Sequence, residues 1–273
     1  MRTALTIAGS DSCGGAGIQA DLKTFLVNGV YGMSAITALT AQNTLGITRV
    51  EEVSIDMIRG QLEMVFEDIR PDAIKIGMLN SEKVVRVVAE ILRKYDARNI
   101  VLDPILVSSS GSLLLEKSAI PAMIEELFPL ATVITPNIPE AEVLSGMKAG
   151  SVTNGDQMED AARKLLELTT AAVLVKGGHL NESARDLLCY EENGCRQYLW
   201  FSEQKLNTNN THGTGCTLSS AIAAGLAKDF TVRNAVGWAK QYVTGAIQED
   251  LEIGHGNGPL NHGWQFGHNK DFM

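Results

Sequence analysis

The chain has 273 residues and a mass of 29.4 kDa, with 45% hydrophobic and 20% charged residues. This composition is typical of a globular protein with a large core, and it excludes general disorder and collagen-like repeats. With 23 Lys and Arg against 32 Asp and Glu, the net charge is −9. That charge argues against general binding to nucleic acid or to an anionic membrane, but a pocket for a phosphate can still be locally positive.

The four cysteines are Cys13, Cys189, Cys195 and Cys216, and none belongs to a C-x-x-C pair. A zinc site or a thioredoxin-like motif would need that spacing. Scattered cysteines in a chain of this length are typical of the free thiols of a cytosolic protein. Apolar runs stay well short of the roughly 20 residues that cross a bilayer, and the apolar start is interrupted too early for a signal peptide. We therefore expect a cytoplasmic protein.

Short apolar runs alternate along the chain with longer segments of helical periodicity. The predicted strands are residues 5–8, 35–40, 73–76, 100–102, 132–135 and 172–175. Predicted helices follow the N-cap candidates Ser54, Ser81 and Thr231. This alternation indicates βαβ units and a mostly parallel sheet with helices on both faces. Ligands of such sheets bind at the carboxyl ends of the strands, so the segments after the strands are candidates for chemistry.

Residues 186–201 interrupt the alternation and predict two strands joined by a turn at Asn193-Gly194. A two-residue turn there pairs Glu192 with Cys195 and places Cys189 opposite a different residue. We therefore expect Cys189 and Cys195 not to form a disulfide.

A glycine-rich segment, 9–17, follows the first predicted strand. Residues 15–20 match the G-x-G-x-x-A of a dinucleotide site, but that interpretation needs an acidic residue at the end of the next strand, where 40–43 read Thr-Ala-Gln-Asn. The sequence contains no G-x-x-x-x-G-K-[ST], which excludes a P-loop. Two interpretations stay open: a tight turn, or a glycine-lined floor that lets backbone approach a small substrate, with Asp21 offering a carboxylate.

A second glycine-rich segment, 211–217, precedes a helix of small residues. Successive backbone N–H groups at a helix N-terminus favour an anion site. Cys216 would lie in the first turn, where the helix dipole is expected to lower the pKa of the thiol below its usual ~8.5. The alternative is a closely packed helix start with a buried thiol.

Three other strand ends carry candidate ligands. Asn137 and Glu140 are three residues apart at a predicted helix start, where they could hold hydrated magnesium or form a capping box. Lys176 ends a predicted strand beside two glycines and is placed for a phosphate, and Asp103 puts a carboxylate at a similar level. Because all these segments fall at the same edge of the sheet, we expect them to form one site.

Together these segments resemble the hydroxymethylpyrimidine/phosphomethylpyrimidine kinases of thiamine biosynthesis, members of the ribokinase-like superfamily. The resemblance is carried by residues 8–11, 14–21, 41–44, 75–79, 103–104, 135–140, 176–179, 210–217 and 254–259. It extends to about Phe266, which implies one kinase domain over 1–266, with 267–273 as a flexible C-terminal tail.

The resemblance implies a three-layer α/β/α ribokinase-like fold with a central, mostly parallel sheet, and a homodimer. The implied activity is ATP-dependent phosphorylation of 4-amino-5-hydroxymethyl-2-methylpyrimidine to its monophosphate and then to the pyrophosphate, with Mg²⁺ as cofactor. It implies neither a nucleic acid nor a membrane as partner.

The resemblance also implies roles for the residues at matching positions. The expected substrate contacts are Gln42, Gly9, Asp21 and Met78. The expected anion hole is Gly213, Thr214, Gly215 and Cys216, with Cys216 as proton acceptor. The expected contacts to the ATP phosphates are Lys176 and Thr211, and the expected magnesium ligands are Asp103 and Glu140. The chemistry agrees at Gln42, because a glutamine amide complements the donor and acceptor of an aminopyrimidine edge.

One position departs from many ribokinase-like sugar kinases, which carry Asp where this chain has Cys216. The nucleophile of the second phosphorylation is already an ionised phosphate. A fixed carboxylate would repel it in a poorly solvated site, whereas a thiol can be neutral. We hypothesise that the second reaction explains the thiol.

Two alternative functions stay open. A pyridoxal or pyridoxine kinase shares this fold, and Gln42 argues against it as the main activity because pyridoxal lacks the aminopyrimidine edge. A non-catalytic binding protein built on a kinase fold is the other alternative, and the presence of Cys216, Lys176 and Glu140 argues against it.

Overall fold

A computed structural model describes residues 1–106, 115–116, 118–178, 184–203, 206, 208–249 and 251–266. The strands are β1 Thr3–Asp11, β2 Tyr31–Asn43, β3 Gly46–Glu52, β4 Ala73–Ile76, β5 Ile100–Leu102, β6 Val133–Ile134, β7 Ala172–Gly177, β8 Ala184–Glu192 and β9 Cys195–Glu203. The helices are α1 Gly17–Val27, α2 Ile55–Asp68, α3 Glu82–Lys94, α4 Ala119–Ala122, α5 Ile138–Leu144, α6 Gly155–Leu166, α7 Thr214–Ala227 and α8 Val232–Gln248.

The strands of the described residues form one nine-stranded sheet in the order β3-β2-β1-β4-β5-β6-β7-β8-β9. The six strands from β2 to β7 in this order are parallel, whereas β3, β8 and β9 pair antiparallel at the two edges. All six predicted strands are present. β3 was not predicted, because its side chains are mostly exposed and an exposed edge strand needs no alternation of apolar residues.

Two hydrophobic clusters lie on opposite faces of the sheet, which makes the fold three-layered. Alternate residues of β4 show this, since Ile74 and Ile76 join a cluster with α2, α3 and α6. Ala73 joins the other cluster, with α1, α7 and α8. The α/β fold with a central, mostly parallel sheet is therefore confirmed, and Lys75 points from β4 toward α1 and α7.

Local sequence determines how the predicted helices begin. Ser54 accepts a hydrogen bond from the N–H of Met57 at the start of α2, and Thr231 accepts one from Asn234 at the start of α8. Both residues are therefore N-caps. Ser81 also precedes a helix, α3, yet its side chain makes no cap hydrogen bond.

The β8–β9 hairpin has the predicted register. Glu192 pairs with Cys195, and Cys189 pairs with Tyr198 rather than with Cys195. The turn residue Asn193 has a φ of +53°, as a two-residue hairpin turn requires. The four cysteines are free thiols.

Two features of the sequence analysis, His179 and the tail 267–273, lie outside the described residues. Within the described ranges, none of the helices has both the length and the apolar character needed to cross a membrane.

The C-terminal segment is anchored to the helical layer through His262. This buried residue places its Nε2 3.0 Å from the hydroxyl of Thr217 in α7. Its backbone carbonyl accepts a 2.8 Å hydrogen bond from the hydroxyl of Tyr242 in α8. Burial, assisted by the charge of Lys23, lowers the pKa of His262 to about 4. The imidazole is therefore neutral in the folded protein at pH 7.

We expect His262 to make the protein less stable in acid. Its folded pKa of about 4 lies below its ordinary value of 6.5. The stability from the neutral ring is therefore complete above pH 6.5 and is lost as the pH falls toward 4, by on the order of 3 kcal/mol. Urea unfolding between pH 7 and pH 4.5 measures this loss. His262→Gln, which keeps a partner for Thr217 but does not titrate, should show a shallower pH dependence. The same slope in both proteins would contradict the assignment.

Candidate active site

The loop after β1 and the N-terminus of α7 meet at the carboxyl-terminal edge of the sheet. Gly213, the N-cap of α7, has a φ of +84°. A Cβ built on it would lie 1.8 Å from the carbonyl oxygen of Gly15. Only glycine combines this backbone conformation with so close an approach. The two glycine-rich segments of the sequence, 9–17 and 211–217, are therefore packed directly against each other.

The first turn of α7 faces a lysine and an aspartate from other strand ends. A Cβ built on Gly215 would lie 3.4 Å from Nζ of Lys176 and 3.7 Å from Oδ2 of Asp103. The first backbone N–H groups of a helix have no partners within the helix, and the helix dipole favours an anion beside them. This turn can therefore bind an anion next to Lys176.

Lys176 and Asp103 form an ion pair across the ends of β7 and β5, with 2.7 Å between Nζ and Oδ1. Thr135 also donates a 3.0 Å hydrogen bond to the Asp103 carboxylate, and the hydroxyl of Ser219 lies 3.3 Å from it. Burial would raise the pKa of Asp103, but the charges of Lys176 and Lys75 hold it below its ordinary value. Burial would lower the pKa of Lys176, but Asp103 and Glu140 raise it above its ordinary value. Both groups are therefore charged.

Glu140 and Asn137 form the capping box, one of the two interpretations of this motif. Oδ1 of Asn137 accepts a 2.8 Å hydrogen bond from the N–H of Glu140, and Oε2 of Glu140 accepts one of 2.8 Å from the N–H of Asn137. Burial raises the pKa of Glu140 to about 7. The negative charge of Asp103 adds to this rise, and the positive charge of Lys176 opposes it. The carboxyl groups of Asp103 and Glu140 are both buried and interact electrostatically. They offer the hard oxygen ligands that Mg²⁺ prefers. The chemistry of this donor set fits magnesium, and the ligand role of both residues stays a prediction.

The expectation of a lowered pKa at Cys216 was wrong. The side chain is only 8% exposed, and burial raises the pKa of the thiol. The charge of Lys75 and the N–H of Gly17 oppose this effect, whereas the charge of Asp21 adds to it. Loss of water thus outweighs the helix terminus, and the resting thiol is neutral.

Asp21 lies beneath the loops instead of facing a ligand. It is fully buried, and its two carboxylate oxygens lie 3.0 and 2.8 Å from Nζ of Lys75. The hydroxyls of Thr6 and Ser220 each donate a further 2.6 Å hydrogen bond to the Asp21 carboxylate. Because these partners occupy both oxygens, we correct the expected role of Asp21 from an open substrate contact to a support for Lys75.

Gln42 lies next to the last residue of β2, on the same side of the molecule as Cys216. Its backbone is held at both ends by Ser12, whose hydroxyl donates to the Gln42 carbonyl and accepts from the Gln42 N–H. Its side-chain amide lies 3.5 Å from Nε2 of His212, and His212 directly precedes the anion-binding turn. A cavity of about 180 Å³ is lined by Gln42, Asn43, Thr44, Leu45, Gly46, His212 and Asn257. The amide and the thiol-bearing turn therefore share one rim.

The C-terminal glycine-rich segment explains how this rim is held together. The N–H of Asn257 donates to the carbonyl of Thr44, and the N–H of His212 donates to the carbonyl of Gly258. A Cβ built on Gly256 would lie 2.1 Å from the Thr44 carbonyl oxygen, so the approach requires glycine. The segment thus joins the loop after β2 to the loop before α7.

The remaining predicted residues lie around these loops. A Cβ built on Gly9 would lie 3.0 Å from Sδ of Met78, so Met78 packs against the strand end that carries the first loop. The carbonyl of Thr211 accepts hydrogen bonds from the N–H and the hydroxyl of Thr214. The contacts expected of these residues with substrate or ATP stay predictions.

Three polar residues of the site were not assigned roles from the sequence. Lys75 is fully buried beneath Cys216, and Asp11 binds the ring of His212 with 2.8 Å between Oδ2 and Nε2. Lys75, Asp11 and His212 all fall within the segments that carry the family resemblance. Their spacing in the sequence does not indicate that Lys75 lies beneath Cys216 or that Asp11 binds His212.

A larger cleft of about 380 Å³ lies at the opposite edge of the sheet, lined by Phe66, Arg70, Pro71, Asp72, Asp96, Ala97, Arg98 and Asn99. These residues flank the amino ends of β4 and β5, whereas the ligands of open α/β sheets bind at the carboxyl ends. This cleft is therefore separate from the candidate site.

Comparison with known proteins agrees with this architecture. A family model described as phosphomethylpyrimidine kinase matches residues 11–261. The hydroxymethylpyrimidine/phosphomethylpyrimidine kinase of Rhizobium meliloti is 48% identical over 264 residues, which cover 95% of this chain and 96% of that protein.

Two solved structures are similar to the chain over most of its length. The phosphomethylpyrimidine kinase from Clostridium difficile has a TM-score of 0.77 at 45% identity, with 90% of this chain and 100% of that chain covered. An ADP complex of Bacillus subtilis pyridoxal kinase has a TM-score of 0.87 at 38% identity, with 97% of this chain and 99% of that chain covered.

The buried pair beneath Cys216 yields a test of stability. Lys75→Met should lower the free energy of unfolding by on the order of 3–5 kcal/mol, because the Asp21 carboxylate is left as an unpaired buried charge. Adding Asp21→Asn, which keeps partners for Thr6 and Ser220, should restore most of that loss. Urea unfolding of both variants and of Asp21→Asn alone completes a double-mutant cycle. Strictly additive losses would show that the two charges do not depend on each other.

Proposed function

The chain belongs to the phosphomethylpyrimidine kinase family, and on that basis we propose that it phosphorylates 4-amino-5-hydroxymethyl-2-methylpyrimidine and then its monophosphate, with ATP as donor, in thiamine biosynthesis. One observation carries the proposal. The loop that contains His212 and Gly213 contacts Gln42 on one side and begins the anion-binding turn on the other. An amide suited to an aminopyrimidine edge therefore lies beside a site suited to a phosphate.

Phosphoryl transfer asks mainly for positioning and for neutralisation of charge. Gln42 orients the heterocycle, and the backbone N–H groups of the first turn of α7 face the transferred group. Lys176 contacts the ATP phosphates together with Thr211, and its charge stabilises the oxygens that bridge donor and acceptor. Breaking the Lys176–Asp103 pair when ATP binds would free the lysine for this task.

Cys216 accepts the proton of the substrate hydroxyl in this proposal. Because burial raises the pKa of its thiol, Cys216 must first lose its own proton to solvent. Lys75 is the buried cation that favours the resulting thiolate, and Asp21 holds Lys75 in place through both carboxylate oxygens. Only a small fraction of Cys216 is in the thiolate form that can accept a proton. Phosphoryl transfer tolerates this because its transition state is loose.

Asp103 and Glu140 would hold Mg²⁺ in this proposal. The ion would supply positive charge that neutralises the phosphate oxygens of ATP. The carboxylate of Asp103 is ionised, and a cation beside Glu140 would favour its ionised form as well. The positive charge of Lys176 lowers the pKa of both carboxyl groups. Its Nζ also lies beside Gly215 in the first turn of α7, so Lys176 links the two carboxylates to the anion site.

The first test of the proposed function is product analysis by mass after incubation with Mg-ATP and the pyrimidine alcohol. We expect products with one and with two added phosphates. Gln42→Leu should lower kcat/KM for the alcohol about 10-fold to 100-fold, because a bidentate contact is lost. Gln197→Leu on β9, at the far edge of the sheet, is the matched control and should behave as the unaltered protein. ATP binding without turnover would indicate a non-catalytic binding protein.

Pyridoxal phosphorylation is the second candidate activity, favoured by the TM-score of 0.87 to a pyridoxal kinase. The higher identity of 48% to a hydroxymethylpyrimidine/phosphomethylpyrimidine kinase favours the pyrimidine as main substrate. A side-by-side kinetic comparison of the pyrimidine alcohol and pyridoxal decides between them.

Cys216→Asp tests why the chain carries a thiol at this position. A carboxylate there would repel the ionised phosphate that is the nucleophile of the second step. We expect the variant to keep part of the first phosphorylation and to lose most of the second. The variant Cys216→Ser is the control: it removes the thiol without adding a charge, so it should impair the first step, which needs a proton acceptor, more than the second. Equal losses in Cys216→Asp would contradict the hypothesis.

We also propose that residues 1–266 act as one kinase domain, that the protein is a homodimer, and that it works in the cytoplasm. One sheet running from Thr3 to Glu203 supports the single domain. Exposed Met57 and Met64, seven residues apart, lie on the same face of α2 and would suit contact with a partner subunit. Free thiols support a reducing compartment. Sedimentation as a 29.4 kDa monomer would contradict the dimer.

A further inference from the structure

The side-chain amide of Gln42 lies between two polar neighbours. Its oxygen Oε1 is placed 3.0 Å from the hydroxyl of Thr40, and its nitrogen Nε2 is placed 3.5 Å from Nε2 of His212. The backbone of Gln42 is held by Ser12 through both its N–H and its carbonyl. The main freedom left is therefore the direction of the amide, which is decided by whether each neighbour donates or accepts.

His212 is a donor at Nε2. This nitrogen lies 2.8 Å from Oδ2 of Asp11. Burial would raise the pKa of Asp11, but hydrogen bonds from His212, Ala16 and Cys13 hold it well below its ordinary value. An ionised carboxylate can only accept hydrogen bonds, so Nε2 carries the hydrogen and has no lone pair for the amide. With the amide nitrogen toward His212, two donors would meet and no hydrogen bond would form.

Thr40 is free to accept. Its hydroxyl donates a 2.9 Å hydrogen bond to the carbonyl of Ser10, which is acceptor only. With its single hydrogen used in this way, the Thr40 hydroxyl has none for Gln42 and can offer it a lone pair. Both neighbours then favour the same direction of the amide, turned by 180° from the placement given above, with its oxygen toward His212 and its NH₂ toward Thr40.

We propose that Asp11 and His212 are positioning residues that set the direction of the Gln42 amide and, through it, which way round the pyrimidine binds. This inference rests on the proposed function. The 4-amino group of the substrate pairs with the amide oxygen, on the His212 side, and ring N3 pairs with the amide NH₂, on the Thr40 side. The amide then binds the heterocycle in one orientation and disfavours the opposite one.

This direction decides where the reacting hydroxyl lies. The hydroxymethyl group is on C5, next to the carbon that bears the amino group, so it projects beyond the amino group on the His212 side. Gly213 and Cys216 follow His212 in the chain, so the hydroxyl is directed toward the anion-binding turn. With the amide reversed, the same two hydrogen bonds would direct the hydroxymethyl group away from α7.

The inference predicts how the enzyme treats an analogue with the opposite hydrogen-bond pattern. In the 4-oxo analogue, a carbonyl replaces the amino group and N3 carries a hydrogen. Its hydroxymethyl group can face α7 only if the Gln42 amide reverses, which His212 and Thr40 oppose. We expect kcat/KM to favour the 4-amino substrate over this analogue by about 10-fold to 100-fold.

His212→Phe tests the proposal because it removes the Nε2 donor and keeps a ring against Gly15. The preference for the 4-amino substrate should fall at least about 5-fold, since the amide is then freer to reverse. Cys13→Ser is the matched control, because Cys13 contacts Asp11 and His212 but does not contact Gln42 among the described residues. Cys13→Ser should keep the preference of the unaltered protein.

A second pair of variants covers the case in which His212→Phe does not fold. Thr40→Val removes the acceptor for the amide NH₂ and should weaken the preference, whereas Thr40→Ser keeps the hydroxyl and should restore it. An unchanged preference in His212→Phe, or in Thr40→Val if the former is unfolded, would overturn the proposal. So would an unaltered protein that phosphorylates both compounds equally well. Failure to phosphorylate the 4-amino substrate at all would overturn the proposed function itself and this inference with it.

Discussion

The site depends on one backbone contact, the approach of Gly213 to the carbonyl of Gly15. It joins the loop after the first strand to the start of a helix some 200 residues later in the chain. The first loop holds the backbone of Gln42 through Ser12, and the second begins the first turn of α7. Their contact places the Gln42 amide, the helix N-terminus and Cys216 along one rim.

Along that rim the protein keeps two ion pairs, Lys75 with Asp21, which is fully buried, and Lys176 with Asp103, in which the lysine is partly exposed. Buried ion pairs are weak contributors to stability because both charges lose water. Their placement suggests a reason for retaining them. One lysine lies under the thiol and the other beside the anion-binding turn, so each supplies fixed positive charge where a reaction would develop negative charge.

Under the proposed function, the two ends of the site would recognise a ligand in different ways. Around Gln42 the groups hold their direction through hydrogen bonds, and a wrong partner leaves a buried donor or acceptor without a match. Around Lys176 charge dominates, and charge is largely indifferent to the shape of the ligand. A substrate that grows by one phosphate between two reactions suits this division, since its ring stays the same while its charge changes.

Features that depend on neighbours in the chain were predictable from the sequence. The central strands, the caps at Ser54 and Thr231, and the register of the β8–β9 hairpin follow from local pattern and turn chemistry. The candidate loops could also be placed at one edge, because parallel strands deliver their carboxyl ends to the same side. The magnesium and capping interpretations of Glu140 could not be separated, because both use the same two side chains.

Only the tertiary structure decided what surrounds each group. The sequence spacing favours an acidic thiol at Cys216, yet burial reverses the direction of its pKa shift. The sequence predicts an open carboxylate at Asp21, whereas in the fold this carboxylate is paired with Lys75, 54 positions along the chain. The partner of Asp11 lies 201 positions along the chain at His212. Local sequence determined which groups exist and at which end of a strand they stand, whereas desolvation and distant partners, which arise only on packing, decided their charge and direction.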